Sequence, residues 1–431
     1  MSTEFLVFLA TLFGLAAIGA PIALAMFVAA AAYLALGGRD LALAAEQILQ
    51  GLFGSFILLA VPLFIFAANL MNAGTISDRL MNFCTAVVGR FRGGLAYVNI
   101  VTSLIFSGMS GSAIADAAGV GKITTEMMIK NGRYERGFSA ALTAATAVIG
   151  PIIPPSIPMV MYALVSDASI GYLFLGGIGP GLLITLVLSI HTFVLARTRG
   201  FPVEVPVPVA QLPRVVFDAF PALMMPVVLL AGIYGGVVTP TEAAALAASY
   251  ALVLATLFYR AMGLNSLYAV LSESARSSAA IGLVIGGAMI LNYVVASEKI
   301  PSLLASHFAA VDFSPLGFLI VVNILVLVLG CFLDASTIIL VIVPLFVPTC
   351  KALGIDLVHF GVVIVVNAMI GLVTPPYGML LFVIDKTTGI TVAETTRAII
   401  PFVVMLILAL LAMILVPEIV LWTPRQFGYR G

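Results

Sequence analysis

Two stretches of this sequence set oxygen-bearing side chains among glycines inside an otherwise apolar chain. In SGMSGSAIAD, Ser107, Gly108, Ser110 and Ser112 precede Asp116; in GCFLDAST, Gly330 and Asp334 precede Ser336 and Thr337. Downstream of each lies a proline-broken segment, Gly150, Pro151, Pro154, Pro155, Ser156 and Pro158 after Thr146 in the first case, Gly371, Thr374, Pro375, Pro376 and Gly378 in the second. Proline removes a backbone donor and frees the carbonyl of the preceding turn. Free carbonyls at bilayer depth persist only where they are buried in protein or line a polar cavity. Hydroxyls, carbonyls and a carboxylate together make all-oxygen sites that suit a hard cation such as sodium, and half-helix N-termini suit the carboxylate of an anionic substrate.

Plainer readings stand beside these. Gly, Ala and Ser also let membrane helices pack closely, so any single serine carries either meaning. A double proline also serves as a kink. Asp116 and Asp334 point more firmly to function, because a carboxylate at membrane depth is costly, although Asp116 lying shallower could pair with Lys122. Glu242 follows Pro240 in VTPTEAA and reads as a first-turn helix cap. His191, His307 and His359 lie apart and read as structural. Cys84, Cys331 and Cys350 read as small buried hydrophobes without disulfide or metal spacing.

The elements that must position these groups repeat. Pro154 and Pro155 recur as Pro375 and Pro376, and Pro180 recurs as Pro401, both at an offset of 221 residues. Pro21 aligns with Pro240, and the stretch ending at Ala113 with that around Ala335, at nearly the same offset. The chain therefore divides into residues 1–200 and 215–431, joined over 201–214 by a segment whose Pro202, Pro206, Pro208 and Pro213 favour an extended linker. Within the first half, helices over about 1–90 precede a segment over about 93–130 whose two ends both carry basic residues: Arg90 and Arg92 before it, Lys130, Arg133 and Arg136 after it. Both ends then face the cytoplasm, which makes this a re-entrant hairpin with its tip at Ser107 to Asp116. A broken helix over about 138–166 follows. The second half repeats the order, with helices over about 217–300, a hairpin over about 315–349 and a broken helix over about 357–386. Counting Phe5 to Leu36 as one span kinked at Pro21, the first half crosses about five times. An odd count turns the second half upside down, giving an all-α polytopic fold of about 10–12 transmembrane segments built as an inverted-topology repeat.

Composition agrees. Of 431 residues, 62% are hydrophobic and 9% charged, against about 25% charged in soluble domains, so the bilayer is the solvent for most of the chain. Lys plus Arg and Asp plus Glu number 19 each, which leaves no basic excess for nucleic acid. The opening MSTEF has no basic start before a long apolar run, so the first segment is expected to be retained. GVGKIT at Lys122 lacks the spacing of a phosphate loop, and no GxSxG or HExxH motif occurs. Enzyme chemistry finds no support; the energy must come from an ion gradient or from outside the chain.

SGMSGSAIADAAGVG, NGRYERGFSAALTAA, IGPIIPPSIPMVMYA, GGVVTPTEAAA and GLVTPPYGMLLF, in this order, resemble the large membrane subunit of tripartite ATP-independent periplasmic (TRAP) transporters, DctM-like, over essentially the whole chain. The resemblance implies a sodium-driven importer of organic acids such as C4-dicarboxylates or sialic acid, in a bacterial inner membrane. It also implies two partners, a periplasmic substrate-binding protein (DctP-like) and a separate small membrane subunit (DctQ-like). It implies an elevator in which residues of about 93–196 and 315–416 move against a scaffold of about 1–90 and 217–300. On this resemblance, sodium sites draw on Ser107, Gly108, Ser112, Gly150 and Pro151 in the first half and Gly330, Asp334, Gly371 and Thr374 in the second. The substrate meets Ser107, Ser110, Ser112, Pro154, Pro155, Ser336, Thr337, Thr374 and Pro375. A stand-alone ion-coupled carboxylate carrier of the same superfamily is the alternative.

Overall fold

The computed structural model describes residues 2–74, 76–204, 207–303, 306 and 314–431, so Pro206 of the linker and His307 lie outside the described residues. The described secondary structure is helical, with an isolated bridge between Arg92 and Val203. Among the described residues seven helices are long and apolar enough to cross a bilayer, among them Ile170–Thr198, Leu212–Tyr234, Leu264–Ser297 and Val392–Leu415. Their outer faces expose large apolar side chains, including Phe217 and Leu257, each at least 69% exposed. Such a surface is stable against lipid and untenable against water.

Both expected hairpins form. The first runs out along Gly94–Ser110 and returns along Ala113–Asp116, a π-turn over Ala117–Gly121, and Lys122–Ile129. Its turn needs a glycine twice over: Gly111 has φ +59°, and a Cβ there would sit 2.5 Å from the Pro155 carbonyl. Ser112 caps the return arm, its hydroxyl accepting from the Ala115 amide at 3.4 Å. The second hairpin goes out along Pro315–Gly330 and returns through Ala335–Thr337, a π-turn over Ile338–Ile342, and Val343–Ala352. Here Asp334 is the cap, accepting from the Thr337 amide at 3.1 Å.

Each broken helix follows its hairpin. Arg136–Ala147 gives way to an irregular stretch and resumes as Ile157–Ser166; Leu357–Gly371 does the same and resumes as Met379–Thr388. The Pro154–Pro155 and Pro375–Pro376 peptides are both cis. The two broken helices run antiparallel. Arg136 Nη2 at the start of one donates to the Gly389 carbonyl just past the end of the other at 2.8 Å, and Tyr162 near the end of the first donates to the Leu357 carbonyl at the start of the second at 2.7 Å. This is the inversion expected from the repeat.

A buried polar pair fastens each hairpin to its broken helix. In the first half Asn99 donates to Thr143 Oγ1 at 2.7 Å and accepts from Thr146 at 2.8 Å. In the second, Asn367 donates to the Asn323 side-chain and main-chain oxygens at 2.8 and 2.7 Å. Away from water an unpaired amide is costly, so each asparagine specifies which neighbour its arm packs against.

One expectation is corrected. Residues 5–36 are not a single kinked span but two antiparallel helices, Thr3–Ala17 and Ile22–Leu36, so the count of five no longer holds and the inversion rests on the antiparallel broken helices instead. Gly19 at φ +84° and Pro21 turn the chain back. Phe8 then meets Tyr33 edge to face at 6.3 Å, and Ser2 and Tyr33 both donate to Glu298, at 2.7 and 2.9 Å. Proline explains the missing amide, but only the packing of the two apolar faces decides between a bend and a full reversal.

Candidate functional site

The two hairpin tips meet the two helix breaks around one cavity of about 210 Å³. Tip one contributes Gly111, Ser112, Ala113 and Ile114, and tip two Asp334, Ala335 and Ser336. The broken helices add Pro151, Ile157, Pro158 and Met161 on one side and Met369, Leu372 and Met379 on the other, and Ile281 of Leu264–Ser297 closes the wall. Both return arms therefore start at the cavity, presenting their first amides and the positive ends of their dipoles. The two starts differ: Ser112 is a neutral cap, whereas Asp334 already holds its own helix start through the Thr337 amide and hydroxyl. The polar groups are few and the rest of the wall is apolar, the common form of a small-molecule site.

Of the residues expected from sequence, Ser112, Pro151, Asp334 and Ser336 line this cavity. Others form the layer behind it. Ser107 donates to the Leu104 carbonyl at 2.6 Å, Thr374 to the Ile370 carbonyl at 2.7 Å, and Thr337 to Asp334. Ser110 is buried and its hydroxyl has no partner. Gly108 lies against Pro226 and Gly150 against the Ser112 carbonyl, where added Cβ atoms would approach to 2.9 and 3.2 Å. Pro154 and Pro155 back the first tip, Pro155 through the carbonyl facing Gly111. Gly330 and Gly371 touch through their main chains. Pro375 lies in the second break without lining the cavity.

Asp116 and Glu242 lie elsewhere. Asp116 is fully buried on the first return arm, and neither carboxylate oxygen has a hydrogen-bond partner. Lys122 does not reach it: its Nζ is 3.9 Å from Glu126, and both side chains are about half exposed. Glu242 closes a capping box with Thr239 at an exposed helix start, accepting from the Thr239 amide at 2.7 Å. His359 is buried against the Met413 carbonyl at 2.9 Å and His191 stands edge-on to Phe402. Cys84, Cys331 and Cys350 are free and buried.

For a cation the donors are oxygens: the unpartnered Ser110 hydroxyl, the Ser112 carbonyl turned toward Gly150 and the Pro155 carbonyl at the first tip. This set fits a sodium ion in kind, a hard cation held by unwound backbone and hydroxyls. Among the described residues no group of three His, Cys, Asp or Glu side chains could hold a metal. Sequence reasoning missed Met161, Met369 and Ile281 in the wall and the Asn99 and Asn323 anchors. An asparagine inside each apolar outgoing arm, 224 residues apart, was the signal for the anchors.

Residues 9–419 match the family described as tripartite ATP-independent periplasmic transporter, DctM component. The chain is 39% identical over 418 residues to the sialic acid TRAP transporter large permease protein SiaM of Vibrio cholerae, covering 96% of this chain and 97% of that one. It is 38% identical to the C4-dicarboxylate TRAP transporter large permease protein DctM of Pseudomonas aeruginosa, covering 86% and 87%. With the isethionate TRAP transporter permease protein DctMQ of Oleidesulfovibrio alaskensis it shares 36% identity, spanning 63% of that longer chain. In fold it is similar to the YdaH transporter of Alcanivorax borkumensis, at a TM-score of 0.63 and 14% identity over 88% of each chain. It is likewise similar to MtrF of Neisseria gonorrhoeae, at 0.64 and 11% over 86% and 83%.

Proposed function

This chain belongs to the DctM component family of tripartite ATP-independent periplasmic transporters, and on that premise we propose that it is the translocating subunit of a sodium-driven, receptor-dependent importer of organic acids. It is a transporter permease subunit and not an enzyme. The observation that carries the proposal is the cavity shared by two inverted hairpin tips, with both return arms starting at its wall. A carboxylate of the cargo is held at the Ser112 start, where no side-chain charge competes for the free amides. The Ser336 hydroxyl and the apolar wall take the remainder.

Sodium, when bound, supplies the positive charge that offsets the anionic cargo beside Asp334. Ser110, the Ser112 carbonyl and the Gly150–Ser156 break hold it in the first half, and Asp334, Gly330, Gly371 and Thr374 in the second. The hairpins and broken helices move together as an elevator against Leu212–Tyr234, Pro240–Val253 and Leu264–Ser297. Arg133 with Glu204, Arg199 with Glu135 and Arg136 with Glu394 gather on one end of the molecule, beside Arg90 and Arg92. This end is the cytoplasmic face of a bacterial inner membrane by the positive-inside rule. A DctP-like periplasmic binding protein delivers cargo to the opposite face and a separate DctQ-like small subunit braces the scaffold.

Uptake into proteoliposomes holding this chain and its small partner tests the reading, with the receptor added or withheld and an inward sodium gradient imposed or collapsed. Uptake requiring both supports it. Uptake without receptor transfers the assignment to a stand-alone carrier, and sodium-independent uptake removes the coupling sites.

A further inference from the structure

Asp116 stands apart from the cavity and from every ion pair in the described residues. It lies four residues into the first return arm, directly before the π-turn over Ala117–Gly121. It is fully buried, and both carboxylate oxygens are without hydrogen-bond partners. The Ser103 hydroxyl of the outgoing arm faces the carboxylate as a hydrogen-bonding neighbour without closing a bond of normal geometry. Ser103, Ser107 and Ser110 follow one another at single helical turns, so the outgoing arm carries hydroxyls along one face.

The charged and titratable groups on the elements packed around Asp116 are engaged or far along their helices. Lys122 pairs with Glu126, and Arg136 with Glu394 and the Gly389 carbonyl. Arg79 pairs with Asp218, and Asp78 lies beside it in Ile76–Val88. Tyr97 sits in the first turn of the outgoing arm, and Asp385 and Lys386 near the far end of Met379–Thr388. The second hairpin offers no counterpart, since buried Ile338 holds the equivalent place. An ionised carboxylate sealed in protein at membrane depth needs a positive charge to balance it, and among the described residues no side chain supplies one.

We propose that Asp116 is the ligand of a monovalent cation held inside the first hairpin, separate from the tip sites, with the Ser103 hydroxyl as a second oxygen. One carboxylate balances one charge, which a sodium ion supplies. The site goes beyond the transport reading and does not depend on the receptor, so its failure would leave that reading intact.

The test uses the purified chain, following its thermal unfolding midpoint against sodium chloride at one pH, with choline chloride holding ionic strength constant. A ligand that binds only the folded state raises the midpoint with concentration, in proportion to the number of ions bound. If the site holds sodium, Asp116→Asn lowers the sodium dependence by one ion while the tip-site response persists. An Asp116→Asn protein with the wild-type sodium dependence overturns the proposal. Should that variant fail to fold, Ser103→Ala decides: it raises the half-maximal sodium concentration by about tenfold, and an unchanged curve is equally fatal.

Discussion

Gly330 and Gly371 meet main chain to main chain: a methyl added to Gly371 would lie 2.6 Å from the Gly330 Cα, and one on Gly330 would lie 3.0 Å from the Gly371 Cα. The end of the second outgoing arm and the second helix break are thus held at a separation that only two glycines permit. No flexible side-chain end is available there to move aside.

Gly371→Ala is therefore expected to destabilise the chain by about 1–3 kcal/mol through overpacking and to abolish uptake by displacing the second tip. Gly150→Ala, where the nearest atoms stand at 3.2 Å, is expected to cost less. Unfolding midpoints of the two variants check the order; equal loss would show that the two halves are packed alike.

Removing an anchor asparagine tests the lock between hairpin and broken helix. Asn367→Ala leaves the Asn323 oxygens unpaired and is expected to cost about 0.6–2 kcal/mol, the range for hydrogen bonds between membrane helices. Hydrogen exchange along Pro315–Gly330 should quicken while the first hairpin keeps its protection. Protection lost equally in both halves would contradict separate locks.

Asp334→Asn separates structure from transport. Asparagine caps a helix about as well as aspartate, so the unfolding midpoint should hold while sodium-driven uptake falls at least tenfold. Ser112→Ala removes a cap and a cavity hydroxyl together and should lower both. Uptake unchanged in Asp334→Asn would take the carboxylate out of the mechanism.

Glu298 carries a pH dependence at the end of Leu264–Ser297. The Ser2 hydroxyl above all, with the Ser2 amide and the Tyr33 hydroxyl, holds its carboxyl below the ordinary glutamate value. The stabilisation is complete above that ordinary value, about 4.3, and is lost as pH falls through the lowered one. Exchange in Thr3–Ala17 should therefore quicken in acid, and Glu298→Gln should flatten the dependence. An acid response identical in the variant would place its origin elsewhere.

Much of this was legible because it is written locally. Prolines and glycines mark the breaks and tips wherever they fall, apolar runs mark the helices, and the spacing of Pro154, Pro155 and Pro180 against Pro375, Pro376 and Pro401 betrays the repeat. Thr239 and Glu242 announce a capping box within four residues. The reversal between Thr3–Ala17 and Ile22–Leu36 was not legible, since Gly19 and Pro21 allow a kink as readily as a turn and the choice rests on Phe8 finding Tyr33.

By itself, then, the sequence determined the solvent, the helices, the two hairpins and the duplicated plan, because composition and chain-breaking residues act over a few positions. Only the tertiary structure decided which oxygens share a space. Ser112, Asp334 and Ser336 came to one cavity while Ser110, three residues from Asp116's own return arm, and Asp116 itself were sealed behind it. That outcome depends on how each arm is rotated about its axis against its neighbours. In an apolar chain nearly every face is hydrophobic enough to be buried, so rotation is set by close packing and by pairs such as Asn99 with Thr146 and Asn323 with Asn367, whose partners lie far apart in sequence.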